Sequence, residues 1–251
     1  MKRILTAAVL AAALVALAMT TTGCTRVRLA ENPGTRTTSE TKTVAIGDAK
    51  SVEAEVRMGV GELTMSVEPT TSDLLRAGFT YAPVSWKPTV TYDVSSGVGR
   101  LLVAQPDSSG VPAFGGAKNT WDLKLDGGVP TRLKLVLGVG TSRIDLRGLD
   151  LISLDAVTGV GDTTIDLSGP RTTDLAGRIQ AGVGNIVVRL PKNVGVRVSG
   201  RQDGVGSFNA EGFTAQGDYW VNDAYSGPGP RIDIQFERGV GDATLVLVDQ
   251  P

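Results

Sequence analysis

Histidine is absent from the 251 residues, and cysteine occurs once, at Cys24. Without histidine the chain lacks the side chain that most often moves protons near neutral pH and most often binds transition metals. A serine nucleophile activated by a histidine base is therefore excluded. A lone cysteine rules out an intramolecular disulfide, so oxidation cannot staple the fold. Aromatic residues make up only 5% of the chain. Neither sign of charge dominates, with 25 Lys and Arg against 26 Asp and Glu. Nucleic-acid binding, which needs a concentrated basic surface, is disfavoured.

What is abundant is glycine, at 32 residues or about 13%, against a usual ~7%. Mean hydropathy is +0.05, and valine, leucine and isoleucine are plentiful, so the glycines punctuate a globular chain. Its length suffices to bury a sizeable core in one all-β unit.

The amino-terminal residues read as an address. Lys2 and Arg3 form a basic start, and Ile4 to Met19 is apolar apart from Thr6. That run is short for a membrane span of about 20 residues and fits an export signal. Thr22-Gly23-Cys24 resembles the lipobox of bacterial lipoproteins, although Thr21 stands where leucine is usual. The expectation is a signal peptide over 1–23, lipidation at Cys24, a flexible polar tether over 24–43 and one β domain over 44–251. The partner implied is a membrane, reached through the lipid.

Gly-Val-Gly recurs at Gly59-Gly61, Gly97-Gly99, Gly138-Gly140, Gly159-Gly161, Gly182-Gly184, Gly204-Gly206 and Gly239-Gly241. Three consecutive spacings of 21, 23 and 22 residues suggest a turn of about 22; the others are 38, 41 and 35. Apolar residues alternate on both sides of the tripeptide, but their parity changes across it. Leu154 and Ala156 give way to Thr163, Ile165 and Leu167; Val52, Ala54, Val56 and Met58 give way to Leu63, Met65 and Val67. Alternation with period two marks half-buried strands. A one-residue slip would turn the next strand inside out unless a glycine bend absorbs the extra residue. Each unit is therefore expected to be strand, glycine corner, strand, with the central valine facing inward. On that view Val160→Asp would place a charge in the core. Stacked units predict a β-solenoid-like architecture with parallel ladders.

Residues 105–120 read as a loop, and Leu75, Ala77, Phe79 and Tyr81 as a strand. Residues 211–230 form an insertion rich in aromatics that could cap an edge. Acids after the corners (Glu62, Asp162, Asp242) raise calcium binding, but Gly- and Asp-rich calcium repeats are much shorter. A phosphate-cradling loop needs a following helix, and strands follow here. Neither a metal nor another cofactor is expected. Asp145, Asp166 and Glu237 are the candidates for polysaccharide hydrolysis, which needs a carboxyl pair, but no cluster is visible. Trp220, Tyr219 and Tyr225 are the candidate partner or glycan surface.

These residues together resemble the toast-rack family of bacterial envelope proteins. The resemblance covers roughly 44–248 and rests on Gly59-Val60-Gly61-Glu62-Leu63, Trp121-Asp122-Leu123-Lys124-Leu125 with Val129-Pro130, Gly159-Val160-Gly161-Asp162, Leu190-Pro191-Lys192-Asn193-Val194-Gly195-Val196 and Val221-Asn222. It implies a single right-handed stack of strands in the cell envelope. The function expected is non-enzymatic: a rigid scaffold for an envelope protein partner, with roles in stress sensing in view, or alternatively a surface adhesin or glycan-binding module.

Overall fold

A computed structural model describes residues 36–69, 72–106, 117–200 and 204–249. The signal peptide, Cys24 and most of the expected tether lie outside the described residues, as does most of the loop at 105–120. Contacts divide the chain into two units, Met1–Glu31 and Asn32–Pro251, and all described residues belong to the second.

That unit is all-β. Its strands are β1 (Thr38–Ala45), β2 (Ser51–Val67), β3 (Asp73–Ala82), β4 (Thr89–Ser95), β5 (Val98–Ala104), β6 (Lys118–Leu125), β7 (Thr131–Asp145), β8 (Leu151–Val160), β9 (Thr163–Asp166), β10 (Leu175–Val183), β11 (Ile186–Pro191), β12 (Gly195–Ser199), β13 (Phe208–Glu211), β14 (Thr214–Gln216), β15 (Tyr219–Val221), β16 (Arg231–Glu237) and β17 (Ala243–Val248). Two short 3-10 segments, Val84–Trp86 and Asp223–Ser226, are the helical elements among the described residues. No described helix is long and apolar enough to cross a membrane.

The strands form two wings joined at the glycine corners, because β2 and β7 run through the bend and pair on both sides of it. The first wing runs β4, β5, β2, β7, β8, β10, β16, β12, β15 and β14. The second runs β1, β3, β6, β2, β7, β9, β11, β17 and β13. Pairing is parallel through the middle of both wings and antiparallel only toward their ends.

Between the wings lies one apolar core. In β2 the buried residues are Val52, Ala54, Val56 and Met58 before the corner and Leu63 and Met65 after it. Ile165, Ile179, Leu190 and Ile232 are fully covered from solvent. Each such aliphatic side chain contributes about 1.5–3 kcal/mol through its removal from water. The parity change across the corners is thus real, and it keeps both strands' apolar residues on one side.

Four sequence expectations need correction. Five central valines do not face inward, since Val139, Val160, Val183 and Val240 are 48–50% exposed and Val205 68%, whereas Val60 is half-buried against the core. At the corners the alternation breaks, so the apolar residues that line the core resume only at Leu63 in β2 and Ile144 in β7. Gly97-Val98-Gly99 is no corner. Ser96 (φ 53°) and Gly97 (φ 77°) form a two-residue turn joining β4 to β5, and both central residues have the positive φ that such hairpin turns demand. The predicted tether ends early, because Thr38–Ala45 pairs with β3 as a strand. Finally, the turns do not stack in chain order. Steps of 21 and 23 residues separate Leu133, Leu154 and Gly177 in neighbouring strands. Beyond that, β16 inserts between β10 and β12, and β17 between β11 and β13.

The strand at Leu75–Tyr81 is present as β3, pairing with β1 and β6. The 211–230 insertion supplies β15, which covers the edge of β12 as expected. Its anchor is Asn222, 3% exposed, whose side chain accepts from the Val196 N–H at 2.8 Å and donates to the Val194 carbonyl at 2.8 Å.

Candidate functional site

The corner tripeptides that stack do so in the order 59, 138, 159, 182, 239 and 204. Their valines pair as Val60, Val139, Val160, Val183, Val240 and Val205. A Cβ on the first glycine would strike the neighbouring corner's carbonyl at Gly138, Gly159, Gly182 and Gly239, though not at Gly59. The third residue always has positive φ, from 122° at Gly206 to 149° at Gly61. A Cβ on Gly140, Gly161, Gly184 or Gly241 would also press into the backbone carbonyl of the corner beneath it, closer than real Cβ atoms come. The column is a close-packed backbone rod, and its glycines are structural.

The residue after each corner forms a second column. Asp162 accepts from the backbone and side-chain amides of Asn185 at 3.1 and 3.0 Å. Asn185 accepts from the Asp242 N–H at 3.3 Å, and Asp242 accepts from the Ser207 N–H and hydroxyl at 2.9 and 2.7 Å. The Ser207 bonds hold the Asp242 carboxyl below its ordinary pKa. These acids thus satisfy corner amides. Among the described residues no cluster of three or more potential metal ligands exists.

Two buried amides close one end of the glycine column. Gln105 Oε1 accepts from the N–H groups of Gly59 and Val60 at 2.9 and 3.0 Å, and from Asn119 Nδ2 at 3.1 Å. Asn119 also donates to the Val60 carbonyl and accepts from Trp121 Nε1, at 2.6 and 2.7 Å. Sequence reading missed both residues, since they lie at the borders of what reads as a loop. At the other end Arg238 donates to the carbonyls of Gly204, Gly206 and Ser207.

The candidate acids are tied up in ion pairs. Asp145 and Asp166 are neighbours in register, but Arg147 bonds Asp145 at 2.6 Å and Arg189 bonds Asp166 at 3.2 Å. The Arg147 contact lowers the Asp145 pKa, opposite to the raised value a catalytic acid needs. Glu237 lies on the other wing, held by Arg178 and Gln180 at 2.9 and 2.7 Å.

The aromatic candidates separate. Trp220 is half-buried, packing on Phe208 with ring centroids 5.4 Å apart. Tyr219 is 44% exposed, and Tyr225 joins it around one cation. The Arg197 guanidinium lies 5.3 Å from the Tyr219 ring and 5.4 Å from the Tyr225 ring, with Arg231 5.1 Å from Tyr225. Asp233 fixes Arg197 through a 2.6 Å bond. The strand alternation at 219–221 carries the signal that separates Tyr219 from Trp220, because adjacent residues in a strand point to opposite faces.

This cluster stands at one end of a trough on the outer face of the first wing. Two hollows, of about 360 and 570 Å³, share Ser153 and Asp155. Together they cross the strands from Thr91 in β4 to Tyr219 in β15. Small side chains on Ser153, Ala176 and Ser199 form the floor between longer charged ones.

Comparison with known proteins follows the same geometry. A structure described as a candidate cell adhesion protein of Clostridium sporogenes is 32% identical, with a TM-score of 0.79 over 86% of this chain and 100% of that one. Candidate adhesins of Bacteroides fragilis (15% identity, TM-score 0.35, 85% and 99% covered) and Parabacteroides merdae (13%, 0.20, 81% and 95%) are more distant. Among curated proteins none matches the sequence significantly. The model for the N-terminal domain of toast_rack, DUF2154, matches residues 32–189. With its all-β wings and stacked glycine corners, the chain belongs to the toast-rack family.

Proposed function

We propose that this protein is a non-enzymatic adhesion scaffold of the cell surface, tethered by a lipid on Cys24, that contacts its ligand through the outer face of the first wing. In this reading the chain winds as a right-handed, solenoid-like stack. The carrying observation is the Tyr219–Arg197–Tyr225 cluster at the trough's end. An exposed tyrosine and a fixed guanidinium contribute little to the core there, yet are pre-organised for contact, as binding hot spots are. The 32% identical relative, described as a candidate cell adhesion protein, supports the same class. Carboxylates neutralised by arginine support a binding role over catalysis.

Attachment of cells carrying the intact gene, compared with a deletion strain, tests the reading. Loss of attachment on deletion, reproduced by Tyr219→Ala with Arg197→Ala, is the expected result. Equal attachment by deletion and parent strains would overturn it. For the anchor, mass spectrometry of the mature amino terminus should find acylated Cys24, and Cys24→Ala should release the protein into the medium.

A protein partner in the envelope is the second reading, favoured by β4, which pairs along one side only among the described residues. Such an edge can accept a partner's strand. Capture of an envelope protein that Asp93→Pro abolishes would select this reading over adhesion.

A further inference from the structure

We infer that the trough on the outer face of the first wing binds an extended, neutral glycan lying across the strands. This rests on the adhesion reading and names its ligand class.

Shape comes first. The two hollows adjoin at Ser153 and Asp155, so their linings together span nine strands, about 38 Å at the usual strand spacing. An occupant of that span must be linear. Along most of its length it must also be recognised by side chains, because every strand of the floor except β4, at one end, bonds to neighbours on both sides and offers no free edge to a peptide.

Charge narrows the class. Five acidic and five basic side chains line the two hollows, leaving no net charge. A polyanion would meet as much repulsion as attraction, and so would a polycation. Most of the charges are already paired, as in Arg100–Glu53 at 3.3 Å and Lys134–Glu55 at 3.1 Å. Asp93 on β4 has no ion-pair partner among the described residues, and neither do Arg132 and Asp155. Arg132 and Asp155 lie diagonally across β7 and β8, next to Ser153 and Lys134 in register. A free guanidinium donates to hydroxyl oxygens and a free carboxylate accepts from hydroxyl protons. An uncharged ligand rich in hydroxyls satisfies both.

At the end of the trough Tyr219 offers a ring face fixed by Arg197, a surface on which the apolar face of a pyranose can rest. Along the trough polar or charged side chains recur at nearly every strand, although their identities differ, so successive units of a polymer can each be contacted. Several weak contacts made at once give an oligomer far higher affinity than one sugar.

Calorimetric titration of the full chain with cellohexaose and chitohexaose tests the inference, with a hyaluronan hexasaccharide as the acidic comparison. Expected is saturable binding of a neutral hexasaccharide, weakened about tenfold or more for its disaccharide. Affinity should change less than about twofold between low and high salt, because no counterions are released. Tyr219→Ala removes the platform and Ser153→Trp fills the floor. Each should weaken binding about tenfold, with the unfolding midpoint confirming a folded protein. The inference is overturned by absence of binding to both neutral hexasaccharides, by binding unchanged in both variants, or by a preference for the acidic one with steep salt dependence. Attachment that persists but is not competed by a neutral hexasaccharide would overturn the glycan alone and leave adhesion standing. Hexasaccharide binding without attachment would overturn adhesion instead.

Discussion

Asp162 and Asn185 hold the same position in successive turns, one residue past the corner, and the carboxylate of the first receives both amides of the second, at 3.1 and 3.0 Å. The corner acids therefore serve their neighbours' backbone. Asp242 plays the same part toward Ser207.

A pH dependence follows. The Ser207 bonds lower the Asp242 pKa, and those of Arg147 and Arg57 lower Asp145 and Glu55. A depressed folded-state pKa means that the unfolded chain binds more protons as pH falls. The stabilisation is complete above the ordinary carboxylate range near pH 4 and is lost as pH drops through the lowered values. Unfolding midpoints measured from neutral to acidic pH should fall steeply in this window. Asp145→Asn and Asp242→Asn together should flatten that fall; an unchanged slope would contradict the assignment.

At Gly161 two constraints coincide: φ is 132°, and the Gly140 carbonyl occupies the space a Cβ would need. Gly161→Ala should cost about 3 kcal/mol or more in urea unfolding. Gly217, with φ of 60° and nothing within 4 Å of its Cβ position, provides the contrast. Gly217→Ala should cost only about 1 kcal/mol. Similar losses at the two sites would show that stacking adds nothing.

Val160 stacks between Val139 and Val183 yet is 49% exposed. Val160→Asp should lower stability by about 1 kcal/mol, whereas Ile165→Asp, at a position with no exposure, should abolish cooperative unfolding by leaving a charge unpaired in the core. Thermal denaturation of both variants decides it.

Gln105 supplies one oxygen to two backbone amides and to Asn119. Gln105→Met keeps the volume and strands those donors, a loss of roughly 2–4 kcal/mol. Hydrogen exchange at Gly59 and Val60 should accelerate with it. Unchanged protection there would mean that the amides find another acceptor.

Much of this molecule was legible in its residues. The alternation around Gly59 and Gly159, with its change of parity, yields the strands, the corners and the buried side of each. The orientation of the valines was not, because counting every second residue continues through Gly159 to Val160 as though the strand were straight. That orientation appears only when neighbouring turns are stacked, with Val160 between Val139 and Val183 and half-exposed. Gly97 misled for the opposite reason. Its tripeptide matches the others, while Ser96-Gly97 between alternating strands is an ordinary hairpin signal. The surface cluster was half visible: Tyr219 and Tyr225 stand out in an aromatic-poor chain, but Arg197 reaches them only through the pairing of β12 with β15.

Because β16 and β17 lie inside the stack and β12 and β13 outside them, strands made later form a layer inside strands made earlier. A nascent chain can lay down its earlier layers as they emerge, yet β12 and β13 join the parallel stack only once β16 and β17 have been made.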